Sequence, residues 1–185
     1  MNPLENYFRD LREIRATGAS VPETSYYGAF ERLVNEIGRM MKPRVRCIIN
    51  IENRGAGIPD GGLFTESQFQ RVEVGKPIPG QIPERGVVEI KPTNEDAWVT
   101  ASGEQVSRYW GKYGLVLVTN YRDFVLIGKD SKGHSEKLET YRLANNEVDF
   151  WAMVAHPQSA AAKHYVSLIE YLKRVLLHAA PLAFS

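Results

Sequence analysis

Apolar residues recur at helical spacing in two segments near the start of the chain. The first stripe is flanked by Asn2 and Pro3, which are suited to a helix start, and by Gly18, which is suited to a helix end. Its members are Leu4, Tyr7, Phe8, Leu11 and Ile14. The second stripe predicts a helix from about Thr24 or Ser25 to Met41, because its apolar residues again share one face. Its members are Tyr26, Phe30, Leu33, Val34, Ile37 and Met41, and Pro43 follows.

The middle of the chain has the residue types and the alternation of β-strands. Five stretches rich in β-branched and aromatic residues are bounded by Gly, Pro or Asn, which favours strands separated by turns. They are residues 45–52, 86–91, the hairpin of 115–119 with 124–128, and an edge strand over 138–143. Between the first two lie the Asp60 segment and a Gly- and Pro-rich loop over 75–85.

Helical periodicity returns at 103–113, 148–154 and 160–179. For the helix at 103–113 we expect Ser102 or Thr100 as the cap and Gly114 as the end. The order helix, strand, strand, strand, helix, strand, strand predicts an α/β fold with a central mixed β-sheet flanked by α-helices. We interpret residues 1–185 as one domain. The terminal helix, 158–180, either covers the sheet or connects to a further domain.

Composition and charge favour a soluble protein over a membrane-spanning or disulfide-linked one. The chain is 43% hydrophobic and 24% charged, which is ordinary for a soluble domain. Its apolar stretches are too short for a membrane span, and one cysteine, Cys47, excludes an internal disulfide. These features predict a cytoplasmic protein without a membrane partner. The net charge of +1 gives no sign of nucleic-acid binding by itself.

Two carboxylates and an amine stand in a suggestive order. Because side chains alternate across a strand, Glu89 and Lys91 share one face, about 7 Å apart at roughly 3.3 Å per residue. Asp60 follows Pro59 in a Pro- and Gly-rich stretch that permits an exposed bend. Mg²⁺ prefers oxygen ligands, so Asp60, Glu89 and the carbonyl of Ile90 are candidate metal ligands, and Lys91 is a candidate catalytic residue. The alternative is a solvated Glu89–Lys91 pair beside a turn residue.

Gln105 and Tyr109 are one helical turn apart on the predicted helix, so both project from the same side. On pattern alone, Tyr109 is equally well explained as a core residue and Gln105 as a partly exposed one.

These motifs resemble those of the PD-(D/E)xK nuclease superfamily, in particular its RecB-type and Mrr-type branches. Pro59-Asp60 is similar to the PD element, Glu89-Ile90-Lys91 to the (D/E)xK element, and Gln105 to Tyr109 to the QxxxY element. The resemblance implies a restriction-endonuclease-like core and Mg²⁺ as cofactor, with Mn²⁺ as a substitute. It also implies catalytic roles for Asp60, Glu89, Lys91 and Gln105. Accessory roles are implied for Tyr109 and for an acidic residue on the preceding helix, Glu31 or Glu36.

A closer resemblance covers most of the chain. Three segments are similar to the amino-terminal nuclease region of bacterial restriction-modification proteins that fuse a nuclease to an adenine-N6 DNA methyltransferase. They are residues 23–27, 53–62 and 119–124. No methyltransferase signature of the Asn-Pro-Pro-Tyr kind occurs in the sequence. We therefore interpret the chain as an excised domain or a truncated relative, with methyltransferase and target-recognition domains in the same polypeptide or complex.

The resemblance makes DNA the expected partner and cleavage of phosphodiester bonds the expected activity. Arg54, Arg108 and Lys112 are candidate DNA contacts because they flank the motifs. Arg39, Lys42, Arg44, Arg46 and Arg122 are further basic residues that could meet phosphates. Two alternatives to a restriction endonuclease stay open: a catalytically silent nucleic-acid-binding module on the same fold, and a RecB-like exonuclease.

Overall fold

The computed structural model describes residues 2–18, 22–49, 58–69, 76–78 and 80–178. The elements in chain order are α1 (Pro3–Arg15), α2 (Tyr27–Gly38), β1 (Val45–Ile49), β2 (Gly61–Thr65), β3 (Val87–Ile90), α3 (Ala97–Ala101), α4 (Glu104–Tyr113), β4 (Val116–Thr119), β5 (Asp123–Lys129), β6 (Ser135–Arg142), α5 (Glu147–Val154) and α6 (Pro157–Leu177). Short 3₁₀ turns occur at Glu23–Tyr26 and Glu66–Gln68.

The strands form one six-stranded sheet in the order β1-β2-β3-β4-β5-β6. Strands β3 and β4 are parallel, and their connection runs through α3 and α4. The other neighbouring pairs are antiparallel. The fold is therefore α/β with a mixed sheet flanked by helices, as in a restriction-endonuclease-like core, and this prediction is confirmed.

Helices cover both faces of the sheet. On one face, α1, α2, α5 and α6 pack over apolar side chains such as Val88, Ile90 and Leu117. On the other face, α3 and α4 pack over Val87, Val116 and Val118. Consecutive strand residues thus enter different cores, as the pleat requires. Glu89 follows the same alternation and projects toward the α3–α4 side.

The two amino-terminal helices form where the apolar stripes predicted them, but their ends differ from expectation. Helix α1 ends at Arg15, before Gly18, and α2 begins at Tyr27, after the 3₁₀ turn, rather than at Thr24 or Ser25. The side chain of Asn2 accepts a hydrogen bond from the amide of Glu5 at 2.7 Å and caps α1. Helix α2 ends at Gly38, so the expected helix as far as Met41 is too long. Strand β1 lies so close that a Cβ at Gly38 would stand 1.9 Å from the carbonyl oxygen of Val45. The chain turns there and returns into the sheet.

The expected cap of the 103–113 helix is wrong. Gly103 is the N-cap of α4 and makes no side-chain cap hydrogen bond. Ser102 instead ends α3, a short helix that the sequence analysis did not predict. Asp96 starts α3 by accepting hydrogen bonds from the amides of Trp98 and Val99. At the other end of α4, Gly114 adopts the left-handed conformation with φ 81°, as its place after the helix predicted.

The carboxyl-terminal half follows the predicted order. The β4–β5 hairpin is confirmed, and the edge strand β6 is longer than expected. Helix α6 begins at Pro157, before the expected start, and its residues Leu168, Leu172 and Val175 are buried in the core. This helix therefore covers the sheet face. Residues 50–52 of the expected first strand lie outside the described residues.

None of the described helices has the length and apolar character that crossing a membrane requires.

The close contact between Gly38 on α2 and the backbone of β1 can be tested by substitution. We predict that Gly38→Ala destabilises the protein by about 1–3 kcal/mol, because the added methyl group must displace backbone. Gly28→Ala lies in the same helix, where a Cβ would meet no atom within 4 Å, and should be neutral or stabilise by up to about 1 kcal/mol. Urea unfolding of both variants measures the difference. Equal stability of the two would contradict the close approach.

Candidate active site

The site lies where β2 separates from β3. Gly61 pairs with Val88 and Gly62 with Val87, so the next hydrogen-bonded pair in this register would set Ile90 against Pro59. Proline has no amide hydrogen to donate. The pairing stops there, and Ile90 keeps an N–H and a carbonyl that point toward the vacated edge, because both groups of one strand residue face the same neighbour.

Asp60 occupies this edge and is held at both carboxylate oxygens. The amide of Ile90 donates a hydrogen bond to Oδ2 at 2.6 Å, taking the place of a strand pair. The hydroxyl of Tyr27, on α2, donates to Oδ1 at 2.9 Å. Pro59 and the bend before β2 thus direct the Asp60 carboxylate against β3.

Glu89 and Lys91 share the face that strand alternation predicted. The Lys91 Nζ atom lies 3.5 Å from Glu89 Oε1. The Glu89 side chain is 4% exposed and that of Lys91 is 27% exposed, so the carboxyl group is buried while the amine reaches solvent. The alternative of a solvated surface pair does not fit Glu89.

The carboxyl groups of Glu89 and Asp60 are close enough to interact strongly. Burial, followed by the charge of Asp60 and a hydrogen bond with it, raises the pKa of Glu89 to about 8, while Lys91 acts in the opposite direction. Two neighbouring carboxylates in a buried place repel each other unless a proton or a cation separates them. Without a cation, Glu89 is therefore largely protonated at neutral pH.

Gln105 and Tyr109 connect α4 to this site. Gln105 Nε2 donates to the Tyr109 hydroxyl at 3.0 Å, and that hydroxyl donates to the carbonyl of Ile58 at 2.9 Å. Burial and then the nearby charge of Glu89 raise the pKa of Tyr109, which keeps the hydroxyl protonated as a donor. The ring of Tyr109 is buried in the α3–α4 core, so the residue is both a core residue and a support for the segment before Asp60.

The two accessory candidates on α2, Glu31 and Glu36, lie in different places relative to the site. Glu31 Oε2 accepts a hydrogen bond from the amide of Ile49 at 3.3 Å, and Ile49 pairs with Gly61 beside Asp60. Glu36 pairs with Arg32 at 3.0 Å on the exposed side of the helix, where Arg32 also reaches Asp10. Glu31 thus borders the site. The suggestion of Glu36 as an alternative has no geometric support.

The candidate DNA contacts differ in their settings. Arg108 and Lys112 are exposed on α4, one turn apart. The charge of Arg108 acts on the Tyr109 hydroxyl in the direction that lowers its pKa, against the larger effect of burial. Arg54 lies outside the described residues. The suggestion of Arg122 as a phosphate contact is wrong, because its buried side chain donates to the Thr93 carbonyl and pairs with Asp123 at 2.9 Å.

The donor set suits a divalent cation bound by few protein ligands. Glu89 Oε2 is buried and accepts no hydrogen bond from any described residue, so it is an oxygen in need of a partner. Asp60 supplies a second carboxylate, and the Ile90 carbonyl faces the same edge. In the described part of the chain, no group of three His, Cys, Asp or Glu residues could hold a metal. Mg²⁺ commonly takes only one or two carboxylates and keeps waters, which these residues fit.

Tyr27 is the contact that sequence reasoning missed. It lies one turn before Glu31 on α2, and nothing in its local pattern distinguishes it from a residue of the apolar stripe. Its role depends on how α2 crosses the end of the β1–β2 pair, which local periodicity does not reveal.

Comparison with known proteins identifies a similar fold. No family model matches the chain, and no curated protein matches it. A cryo-EM structure of a DrdV–DNA complex is similar over 95% of this chain, with a TM-score of 0.59 and 16% sequence identity. The chain spans 14% of the length of that protein. At this identity the similarity shows a shared fold.

The carboxyl pair makes a prediction about stability. Because folding raises the pKa of Glu89 from about 4.5 to about 8, the folded state favours the protonated form, and stability should fall as pH rises through this window. Glu89→Gln removes this loss, so without divalent metal the variant should be more stable than the wild type at pH 8 and lack part of its pH dependence. Urea unfolding in a chelator from pH 5 to about pH 8.5 measures this.

Glu36→Gln is the matched control, because its partner Arg32 is exposed, and it should keep the pH dependence of the wild type. Identical pH profiles for Glu89→Gln and the wild type would show that the Glu89 carboxyl is not shifted by burial and Asp60.

Proposed function

We propose that this domain is a Mg²⁺-dependent DNA endonuclease of a restriction-modification system, hydrolysing phosphodiester bonds. The observation that supports this proposal is the convergence of Asp60, Glu89 and Lys91 at the edge where β2 leaves β3. Two carboxyl groups distant in sequence interact here, that of Glu89 buried and that of Asp60 half-buried, and an amine with access to solvent lies beside them. A purely structural ion pair would not require the second carboxylate.

The metal ligands in this proposal are the carboxylates of Asp60 and Glu89 and the carbonyl of Ile90, with Mn²⁺ able to replace Mg²⁺. A bound divalent cation lowers the pKa of water and neutralises charge on a phosphate. Glu89 has to lose its proton to act as a ligand, so cation binding near neutral pH should release a proton. A cation bound between the two carboxylates relieves their repulsion, and this relief adds to the affinity for the cation.

Lys91 is the proposed catalytic residue for the attacking water. Its amine is anchored near Glu89 at 3.5 Å and remains partly open to solvent, so it can hydrogen-bond a water or a phosphate oxygen at the same time. In hydrolysis the water oxygen attacks phosphorus and its proton passes to bulk solvent, while the ester bond breaks and the leaving oxygen takes up a proton from solvent. Lys91 would orient the water and stabilise the negative charge on the phosphoryl oxygens.

Gln105 and Tyr109 are proposed to set the position of the segment before Asp60 and to present a polar edge to the substrate. The exposed amide of Gln105 already donates to Tyr109, which leaves its carbonyl and second N–H for a nucleotide. Arg108 and Lys112 project from the same helix and are proposed to contact phosphates, together with Arg54.

DNA and the restriction context rest on two supports. The motifs resemble those of methyltransferase-fused nucleases, and the structure with the similar fold is a complex with DNA in a much longer chain. We infer that methyltransferase and target-recognition domains lie elsewhere in the same polypeptide or complex. The recognition of a DNA sequence would then come from those domains, whereas this domain cuts.

Cleavage of covalently closed plasmid DNA tests the function directly. We predict that Lys91→Ala lowers the cleavage rate by about 100-fold or more, since it removes a group that acts on the attacking water, while the variant stays folded. Asp60→Ala should abolish cutting and also weaken Mn²⁺ binding by more than about tenfold, because a ligand is lost. Lys137→Ala and Glu136→Ala, exposed on β6, are the controls and should cut like the wild type.

The outcomes separate the competing functions. Full metal-dependent cleavage by both Lys91→Ala and Asp60→Ala would reject the assignment. DNA binding without cutting in Mg²⁺ or Mn²⁺ would favour the silent module. Cutting of linear but not closed circular DNA would favour an exonuclease.

A further inference from the structure

Tyr27 holds one oxygen of the Asp60 carboxylate from a position that the core makes rigid. It is the first residue of α2, and its hydroxyl donates to Asp60 Oδ1 at 2.9 Å. Its neighbour Tyr26 is buried, with its ring centroid 5.5 Å from that of Tyr121 and 5.6 Å from that of Trp151. The backbone that carries the Tyr27 phenol is thus anchored between α5 and the β4–β5 turn.

The other carboxylate oxygen is held from a different element. The Ile90 amide on β3 donates to Asp60 Oδ2 at 2.6 Å. One hydrogen bond would leave the carboxylate free to rotate about its terminal torsion, which is a broad one. Two donors, one to each carboxylate oxygen, restrict this rotation. Each oxygen of an ionised carboxylate has a further lone pair, so the group can still bind a cation.

A second contact keeps α2 in register with the site. Glu31, one turn after Tyr27, accepts the amide hydrogen of Ile49, and Ile49 is paired with Gly61, the residue after Asp60. The helix therefore contacts the β1–β2 end at one point and Asp60 at another. A shift of α2 along the sheet would break both hydrogen bonds together.

From these contacts we propose that Tyr27 is a positioning residue for the metal site: its hydroxyl fixes the Asp60 carboxylate in the orientation that binds the divalent cation together with Glu89. This inference rests on the proposed function, because it assigns Asp60 as a ligand. Hydrogen bonds that orient metal ligands typically change affinity by about 10–100-fold when removed. If the hydroxyl only linked α2 to the sheet, its removal would lower the stability of the protein and leave its metal affinity unchanged.

The test is the Mn²⁺ affinity of Tyr27→Phe, measured by calorimetry on the DNA-free protein. We expect a dissociation constant about 10–100-fold higher than that of the wild type, because the ring is kept while the hydrogen bond to Asp60 is lost. Tyr7→Phe is the matched control. It removes a buried hydroxyl that donates to the Tyr121 carbonyl at 2.7 Å, and it should leave Mn²⁺ affinity unchanged. Tyr27→Leu removes the same hydroxyl with different packing and should weaken binding similarly.

A double-substitution cycle identifies the route of the effect. If Tyr27 acts through Asp60, then Tyr27→Phe should cause no further loss of Mn²⁺ affinity in an Asp60→Asn background. An additional loss in that background of the same size as in the wild type would overturn the proposal, as would unchanged affinity in folded Tyr27→Phe. In either case a wild type that binds Mn²⁺ and cuts DNA leaves the proposed function intact. A wild type that does neither removes both.

Discussion

The carboxyl groups of Asp60 and Glu89 repel each other, and the fold nevertheless holds them together at the edge where β2 leaves β3. Glu89 is buried and Asp60 is half-buried, which reduces the screening of their charges by water, and Lys91 supplies one nearby cation. Two like charges close together in such a setting are unstable unless one is protonated or a cation is bound. A fold that holds them together anyway has a built-in preference for positive charge at this point, and the proposed metal site follows from that preference.

The sheet brings about this arrangement by ending one strand pair early. Pro59 has no N–H with which to continue the β2–β3 pairing. The Ile90 amide therefore donates its hydrogen bond to the Asp60 side chain instead of to a backbone carbonyl of a paired strand. Helices on both faces of the sheet then bind the segment where the pairing ends. Tyr27 reaches Asp60 from α2, and Tyr109 reaches the Ile58 carbonyl from α4. The site is therefore a product of both layers of the fold, although its central residues come from two neighbouring strands.

Local patterns predicted the parts of this site that depend on local geometry. The alternation of residues 86–91 was enough to place Glu89 and Lys91 on one face, and helical spacing placed Gln105 beside Tyr109. The choice between Glu31 and Glu36 needed the docking of α2, which joins residues far apart in sequence. The same applies to Tyr27. Helix α3 was missed because its five residues are too few for a periodic signal.

A crystal grown or soaked with Mn²⁺ would show whether Asp60 and Glu89 share a cation, because anomalous scattering locates the ion independently of any assay. We expect one strong peak with oxygen atoms of Asp60 and Glu89 at about 2.0–2.3 Å, the Ile90 carbonyl on the same side, and the Lys91 amine outside the coordination shell. An ion bound elsewhere, or a Glu89 carboxyl that turns away from Asp60 with no ion between them at saturating Mn²⁺, would contradict this expectation.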